Sequence, residues 1–219
     1  MPLLSEPHLA PARPLPVLLL ADISGSMSAD GKIEALNTAV GEMLISFADE
    51  DAARVQLHVG VITFGETAQL HLPLAPAAEQ RWQPLQAGGR TPLGAALDLA
   101  TQLLEDRVHI PSRAYRPTIV LVSDGIPTDE WRAPLDRLLA SERAAKASRF
   151  AMAIGDDADH GVLREFLRDP QARVFAAHEP RAIRPFFRWI TMTVVSRSRS
   201  LNPNAAVAAP PIDLADLDF

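Results

Sequence analysis

Five side chains with carboxylate or hydroxyl oxygens lie in three polar loops of this sequence. Asp22, Ser24 and Ser26 follow the apolar run PVLLLA, Thr91 lies in the loop GGRTP, and Asp124 follows the run TIVLVS. Taken singly, each is also an ordinary turn or capping residue. Together they form a set of hard oxygen donors without His or Cys, which suits Mg²⁺, with Mn²⁺ or Ca²⁺ as alternatives. We therefore predict a divalent-metal site.

The spacing of the first group supports this prediction. Asp22, Ser24 and Ser26 alternate, so an extended chain can point all three side chains the same way, and Gly25 lets the loop approach an ion closely. Two aspartates balance the charge of a divalent ion. If part of the carboxylate contact is made through water, Mg²⁺ keeps an open position that an Asp or Glu of a partner would fill.

Strand-like apolar runs alternate with helical patterns along the chain. This alternation predicts an α/β fold, in which a mostly parallel sheet is covered by helices on both faces. Ligands of such sheets bind beyond the carboxyl ends of the strands, where the three loops would meet. The predicted strands are the run PVLLLADIS and residues 55–64, 67–72, 118–122, 149–154 and 173–176; the predicted helices are 33–47, 92–105, 129–148, 159–168 and 181–195.

The composition excludes several classes of protein. Cysteine is absent, which rules out disulfides, thiolate nucleophiles and Cys-ligated metal centres. The 21 Lys and Arg residues against 27 Asp and Glu residues give a net charge of −6, which argues against a nucleic-acid partner. No apolar run approaches the ~20 residues of a membrane span. The Pro-rich start does not resemble a signal peptide, and we expect a cytoplasmic location.

The sequence divides into three predicted parts. These are a Pro-rich extension over 1–13, one folded domain over 14–196 and a flexible tail over 197–219. Arg197 and Arg199 are expected to form a solvated helix end that complements the helix dipole.

The acidic tail leaves three alternatives open. It is a disordered end, or a segment that docks on the metal of a neighbouring molecule, which would make the chain self-associate, or its motif IDLADLDF is a short linear segment for a partner. The candidate groups for docking are Asp213, Asp216, Asp218 and the terminal carboxylate of Phe219.

The three loops together resemble the metal-ion-dependent adhesion site of von Willebrand factor type A (vWA) domains. The residues that match this pattern are Asp22, Ser24, Ser26, Thr91 and Asp124. The likeness extends over about residues 14–196. Within the family, DISGSM, GGRTPLGAAL and SDGIPTD are most similar to small bacterial proteins encoded with tellurite-resistance and phage-defence stress operons.

The resemblance implies both a fold and a ligand set. The fold would be Rossmann-like, with a six-stranded sheet and one antiparallel edge strand at residues 67–72. The hydroxyls of Ser24, Ser26 and Thr91 would contact the metal directly, and Asp22 and Asp124 directly or through water. In other members the metal's ligands change as a partner binds, and the last helix moves.

Residues around this site are expected to form the rim that a partner contacts. Arg90 departs from the small residues common in relatives, and its cation would either steer an acidic partner or repel the metal. Gly89 and Asp129 are further rim candidates, although Asp129 is also explained as a helix cap. The loops expected to set specificity are 28–31, 88–90 and 125–130.

We predict a metal-dependent protein-interaction module rather than an enzyme. A dehalogenase-type phosphatase needs a general acid two residues after its first aspartate, and Ser24 occupies that position. The alternatives are a scaffold whose metal site is vestigial and, less favoured, a Mg²⁺-dependent phosphatase. The operon resemblance makes a kinase or phosphatase a plausible partner in a stress response.

Overall fold

The computed structural model describes residues 12–50 and 54–205. The strands are β1 (Arg13–Asp22), β2 (Val55–Phe64), β3 (Ala68–Pro76), β4 (Thr118–Ser123), β5 (Ser148–Ile154) and β6 (Val174–Ala177). The helices are α1 (Lys32–Ala48), α2 (Leu93–Glu105), α3 (Arg132–Ala140), α4 (His160–Leu167) and α5 (Ile183–Arg199). None of the helices in these residues is long and apolar enough to cross a membrane.

One sheet contains all six strands, in the order β3-β2-β1-β4-β5-β6. β2 and β3 pair antiparallel and every other neighbouring pair is parallel. The predicted α/β fold class, including its single antiparallel edge strand, is therefore confirmed.

The sheet separates two apolar cores. Successive residues of β1 face opposite sides, so Val17 and Leu19 pack with α1 and α5, whereas Leu18 and Leu20 pack with α2, α3 and α4. All four side chains are at most 1% exposed. A parallel strand covered on both faces explains the continuous apolar run of this segment.

β1 and β4 are the two central strands, and the chain leaves them toward opposite edges of the sheet. β1 continues through α1 to β2, and β4 continues through α3 to β5. Loops that diverge in this way open a crevice beyond the carboxyl ends of the two strands. The residues after β1 and β4 therefore lie at the same place.

The edge strand and one predicted helix differ from the prediction in extent. The edge strand continues past Leu72 to Pro76, because an edge strand tolerates the missing amide hydrogens of Pro73 and Pro76. The helix predicted over 129–148 is only α3, since the backbone is extended at Ser141 and resumes as a single turn at Ala144–Lys146.

The end of α5 corrects another prediction. Arg197 is 7% exposed rather than solvated, and its guanidinium donates hydrogen bonds to the Thr118 hydroxyl and to the carbonyl oxygens of Arg116 and Pro203. Burial, with the nearby Arg116 charge, lowers the pKa of Arg197 to about 10. Arg199, in contrast, is exposed and pairs with Glu50 at 2.7 Å. The rest of the predicted tail, from residue 206, and residues 1–11 lie outside the described part of the chain.

Candidate metal centre

Asp22, the last residue of β1, is completely buried and held by two other groups. One carboxylate oxygen, Oδ1, accepts a hydrogen bond from the backbone N–H of Ser24 at 2.8 Å. The other, Oδ2, accepts a hydrogen bond from the hydroxyl of Ser123 at 2.6 Å. These bonds fix the carboxylate between the carboxyl ends of β1 and β4.

The hydroxyls of Ser24 and Ser26 meet the carboxylate of Asp124 across the crevice. The Ser26 hydroxyl donates to Asp124 Oδ1 at 2.7 Å, and the Ser24 hydroxyl lies 3.5 Å from the same oxygen. The two serine oxygens are 3.0 Å apart. Residues far apart in the sequence thus place three oxygens at one point.

Thr91 reaches the same crevice from the loop before α2 and is 5% exposed. Its backbone N–H donates to the Thr128 hydroxyl at 3.2 Å, and its carbonyl accepts from the Thr128 N–H at 2.9 Å. Gly89 has φ +83° and accepts a hydrogen bond from the N–H of Gly25 at 3.1 Å. The Gly-rich loop is therefore joined by backbone bonds to the loop after β1.

Gly125 shows how closely the three loops converge. A Cβ atom added there would lie 3.4 Å from Thr91 Oγ1, 3.9 Å from Asp22 Oδ2 and 4.0 Å from Ser26 Oγ. Neighbouring oxygens of an octahedral Mg²⁺ site lie roughly 3 Å apart, and the Ser24, Ser26 and Asp124 oxygens lie 2.7–3.5 Å apart. The residues present therefore fit a small divalent cation.

The donor set is mostly uncharged. No group of three or more His, Cys, Asp or Glu residues suited to a metal occurs within residues 12–50 and 54–205. The candidate centre has two carboxylates, and its other donors are hydroxyls. The hydroxyls would hold a bound ion without adding negative charge, so only the two carboxylates would balance it.

Lys32 is a residue of this centre that the sequence analysis missed. Its ammonium lies 2.8 Å from Asp124 Oδ2, and the two side chains are 14% and 0% exposed. A Cβ atom added to Gly155 would lie 3.3 Å from the same nitrogen. One feature of the sequence could have indicated Lys32. It is the first residue of α1, where the helix dipole disfavours a positive charge unless an acidic group balances it.

Burial raises the pKa of Asp22 to about 6, although hydrogen bonds from Ser123 and Ser24 oppose this rise. The charge of Asp124 raises it further. The ionised carboxylate is therefore unfavourable in this site until a cation compensates it.

The rim residues have different surroundings. Arg90 and Gly89 are exposed. Asp129 accepts hydrogen bonds from the backbone N–H groups of Gly94 at 2.9 Å and Ala95 at 3.0 Å, so it caps α2 from a different loop. Thr91, which taken alone could also have been a cap before Pro92, lies one residue before the N-cap position that Pro92 occupies. Ile126, which the sequence analysis did not single out, is 66% exposed beside Gly125.

Comparison with known sequences finds a family match and partial relatives. The model of the family described as von Willebrand factor type A domain matches residues 17–126. An uncharacterised protein of Mycobacterium tuberculosis is 35% identical over 116 residues, which cover 51% of this chain and 18% of that protein. The magnesium-chelatase 60 kDa subunit of Rhodobacter capsulatus is 33% identical over 144 residues, which cover 64% of this chain and 24% of the subunit.

Comparison with solved structures supports the fold. A von Willebrand factor type A protein from Catenulispora acidiphila has a TM-score of 0.66 and 21% identity, covering 83% of this chain and 43% of that one. Proximal thread matrix protein 1 from the mussel byssus, solved with zinc in its metal-ion-dependent adhesion site (MIDAS) motif, has a TM-score of 0.64 and 14% identity. The match covers 84% of this chain and 48% of that one. The chain spans less than a quarter of the length of each curated relative it matches.

Proposed function

Because this chain belongs to the von Willebrand factor type A domain family, whose members often mediate protein interactions, we propose that it binds an acidic group of a protein partner through a metal-ion-dependent adhesion site. The partner group would be the carboxylate of an Asp or Glu side chain. The proposed ligands of the ion are Asp22, Ser24, Ser26, Thr91 and Asp124.

The observation that carries this proposal is the convergence of three loops around Gly125. Oxygens of Thr91, Asp22 and Ser26 all lie within 4.0 Å of one point there. Mg²⁺ suits these donors best, and Mn²⁺ or Ca²⁺ would also be accepted. When bound, the ion supplies a Lewis-acid position that a partner's carboxylate can occupy.

The chain's own residues prepare this position. Ser123 and the Ser24 backbone N–H hold Asp22 in one orientation, so the carboxylate does not need to reorganise when a cation arrives. Around the opening, Arg90 presents an exposed cation that attracts an acidic partner. Ile126 adds an exposed apolar side chain for contact. The rim thus combines one charged and one apolar group.

Binding is proposed rather than catalysis because the site offers no second carboxylate where a phosphatase places its general acid. Ser24 occupies that position and cannot protonate a leaving group at neutral pH. We expect no turnover of p-nitrophenyl phosphate in the presence of Mg²⁺. Hydrolysis that is lost in Asp22→Asn would favour the phosphatase alternative instead.

The central test measures ion binding by calorimetry with Mg²⁺ and Mn²⁺. Asp22→Ala and Thr91→Ala should abolish the binding heat, while the far-ultraviolet circular dichroism spectrum stays that of the wild type. Ser112→Ala, an exposed serine elsewhere on the chain, is the matched control and should bind normally. Absence of heat from the wild type with both ions would contradict the proposal.

A crosslinking pull-down from the native cell then identifies the proteins that bind this chain. A partner retained in Mg²⁺ but lost in EDTA, and lost from Asp22→Ala, supports coordination. A partner retained by the wild type in Mg²⁺, by the wild type in EDTA and by Asp22→Ala supports the alternative, a scaffold whose metal site is vestigial.

The wider context of the proposal stays a prediction. It comprises a cytoplasmic location, a tellurite-resistance-like stress response, and a kinase or phosphatase from the same operon as partner. Mass spectrometry of the pull-down tests the predicted partner and its stress-response context, and cell fractionation tests the location. Self-association through the acidic tail is tested separately by truncation after residue 205, which keeps the Pro203 carbonyl that Arg197 binds, with sedimentation measured in Mg²⁺ and in EDTA. The same association state for truncated and full-length chains under both conditions would contradict self-association through the tail.

A further inference from the structure

Lys32 and Asp124 form an ion pair at the edge of the candidate metal centre. The ammonium nitrogen lies 2.8 Å from Asp124 Oδ2, whereas Oδ1 of the same carboxylate accepts from the Ser26 hydroxyl at 2.7 Å. One carboxylate oxygen therefore faces a fixed cation and the other faces the proposed ion position. Of the ion pairs within the described residues, this one has the most deeply buried acid, at 0% exposure.

The surroundings of Lys32 hold its charge in place. Only 14% of its side chain is exposed, and its Nζ and Cε would lie 3.3 and 3.5 Å from a Cβ atom at Gly155. Any larger residue at position 155 would therefore press on the lysine. Gly155 therefore leaves the space that the ammonium occupies beside Asp124.

Lys32 changes the formal charge of the candidate metal centre. Asp22 and Asp124 contribute −2 and Lys32 contributes +1, so the cluster carries −1 before any ion binds. Two carboxylates alone would neutralise a divalent ion. With Lys32 present, the same ion leaves the centre at +1.

We propose that Lys32 is a built-in counter-cation, which lowers the affinity of the centre for a divalent ion and leaves the loaded centre positively charged toward an acidic partner. This inference rests on the proposed metal-dependent function. Repulsion between the ammonium and the ion is strong because both lie in a poorly solvated crevice. The remaining positive charge favours a partner that brings one carboxylate.

A purely structural role for Lys32 predicts the opposite result. If the lysine served only to orient Asp124, its removal would loosen a ligand and weaken ion binding. If it acts as a counter-cation, its removal strengthens ion binding. The sign of the change separates the two roles.

The experiment titrates Mg²⁺ and, separately, Mn²⁺ into wild type, Lys32→Met and Lys32→Arg by calorimetry. We expect Lys32→Met to bind either ion at least tenfold more tightly than the wild type, and Lys32→Arg, which keeps the charge, to bind within about threefold of it. Lys146→Met is the matched control, since Lys146 is the chain's other lysine and is exposed on a distant turn. It should bind as the wild type does.

A melting curve gives a second readout. In EDTA, Lys32→Met should melt below the wild type because Asp124 loses its buried partner. Saturating Mg²⁺ should then raise its melting temperature by more than it raises that of the wild type. If the methionine variant does not fold, Lys32→Gln is measured in the same way.

The outcomes separate this inference from the function on which it rests. Ion binding by the wild type with equal or weaker binding by Lys32→Met overturns the role of Lys32 and leaves the metal centre intact. No binding by either protein overturns the proposed metal centre and the role of Lys32 together. Tighter binding by Lys32→Met alone supports the counter-cation.

Discussion

The buried carboxylate of Asp22 lowers the stability of the folded chain when it is ionised and no metal ion is bound. Its pKa of about 6 exceeds the ordinary value of 3.8, so between about pH 4 and pH 6 the folded chain holds a proton there that the unfolded chain has already lost. Without a metal ion, the stability associated with this proton is full below about pH 4 and is lost as pH rises through 6. A shift of this size corresponds to about 3 kcal/mol.

The first prediction follows from this dependence of stability on pH. In EDTA at pH 7.5, Asp22→Asn should raise the free energy of unfolding by about 2–3 kcal/mol, because it removes a buried charge. The gain should disappear near pH 4, and urea denaturation at several pH values measures it. The exposed Asp136→Asn is the control and should shift stability by less than about 0.5 kcal/mol. A gain of equal size at both pH values would show that the charge is not its cause.

The oxygen donors could be predicted from the sequence because each one follows a recognisable strand or precedes a helix. Asp22, Asp124 and Thr91 are brought together as their spacing suggested. Lys32 was not accessible in this way. Its partner lies 92 positions away in sequence, and only the fold determines which carboxylate the ammonium reaches.

The loop before α2 contains two neighbouring glycines with unlike surroundings. A Cβ atom added to Gly88 would meet nothing within 4 Å, whereas one added to Gly89 would lie 2.3 Å from the backbone nitrogen of Glu66. Gly89 also has φ +83°, which side-chain-bearing residues rarely adopt. The position of Thr91 therefore depends on one of the two glycines.

We predict that Gly89→Ala lowers the free energy of unfolding by about 2 kcal/mol or more and weakens Mg²⁺ binding at least tenfold, because the loop must move and carry Thr91 with it. Gly88→Ala should change stability by less than about 0.5 kcal/mol and leave ion affinity unchanged. Urea denaturation and calorimetry on the two variants provide the comparison. Equal behaviour would show that the loop is not held by its contact with Glu66.

Asp129 carries the next prediction. Its carboxylate bonds two free amides at the start of α2, so Asp129→Ala should lower stability by about 1 kcal/mol with ion affinity unchanged. Asp159→Ala, which removes the equivalent cap of α4, should have a similar effect. Thermal denaturation and ion titration measure both. A tenfold loss of ion affinity in Asp129→Ala alone would assign this residue to binding rather than capping.

The helix predicted over 129–148 ends early because of tertiary contacts. The pattern over 129–148 favoured one helix, but the Arg143 guanidinium donates hydrogen bonds to the carbonyls of Leu104 and Ile110 and draws the chain toward the end of α2. Ala144 is fully buried there. Tertiary contacts of this kind override helical periodicity, whereas the buried β-strands left an unambiguous apolar run.

Across the sheet, Arg197 joins the last helix to the start of a central strand. Its guanidinium bonds the Thr118 hydroxyl at 2.6 Å and the carbonyl oxygens of Arg116 and Pro203 at 2.9 and 3.0 Å. Position 197 was predicted to begin the flexible tail, at a solvated helix end that complements the helix dipole. Composition does not reveal that a helix places one arginine against the sheet.

Arg197→Met should lower the free energy of unfolding by about 2 kcal/mol or more, because it leaves buried polar groups without their donor. Arg107→Ala, which removes a side chain that is 70% exposed, should lower the free energy of unfolding by less than about 1 kcal/mol. Urea denaturation of both variants tests the difference. A cost for Arg197→Met no larger than that for Arg107→Ala would mean that the guanidinium does not anchor α5.

The outer strands of the sheet limit how copies of this protein can aggregate. β3 contains Pro73 and Pro76, which have no amide hydrogen to offer, and the side chain of Gln80 donates hydrogen bonds to the carbonyls of Val59 and Pro73. β6 has only four residues. Neither border presents a long row of free backbone groups on which a foreign strand could grow. Intermolecular β-sheet extension, the usual first step toward fibres, is therefore disfavoured at both borders even when the protein is concentrated.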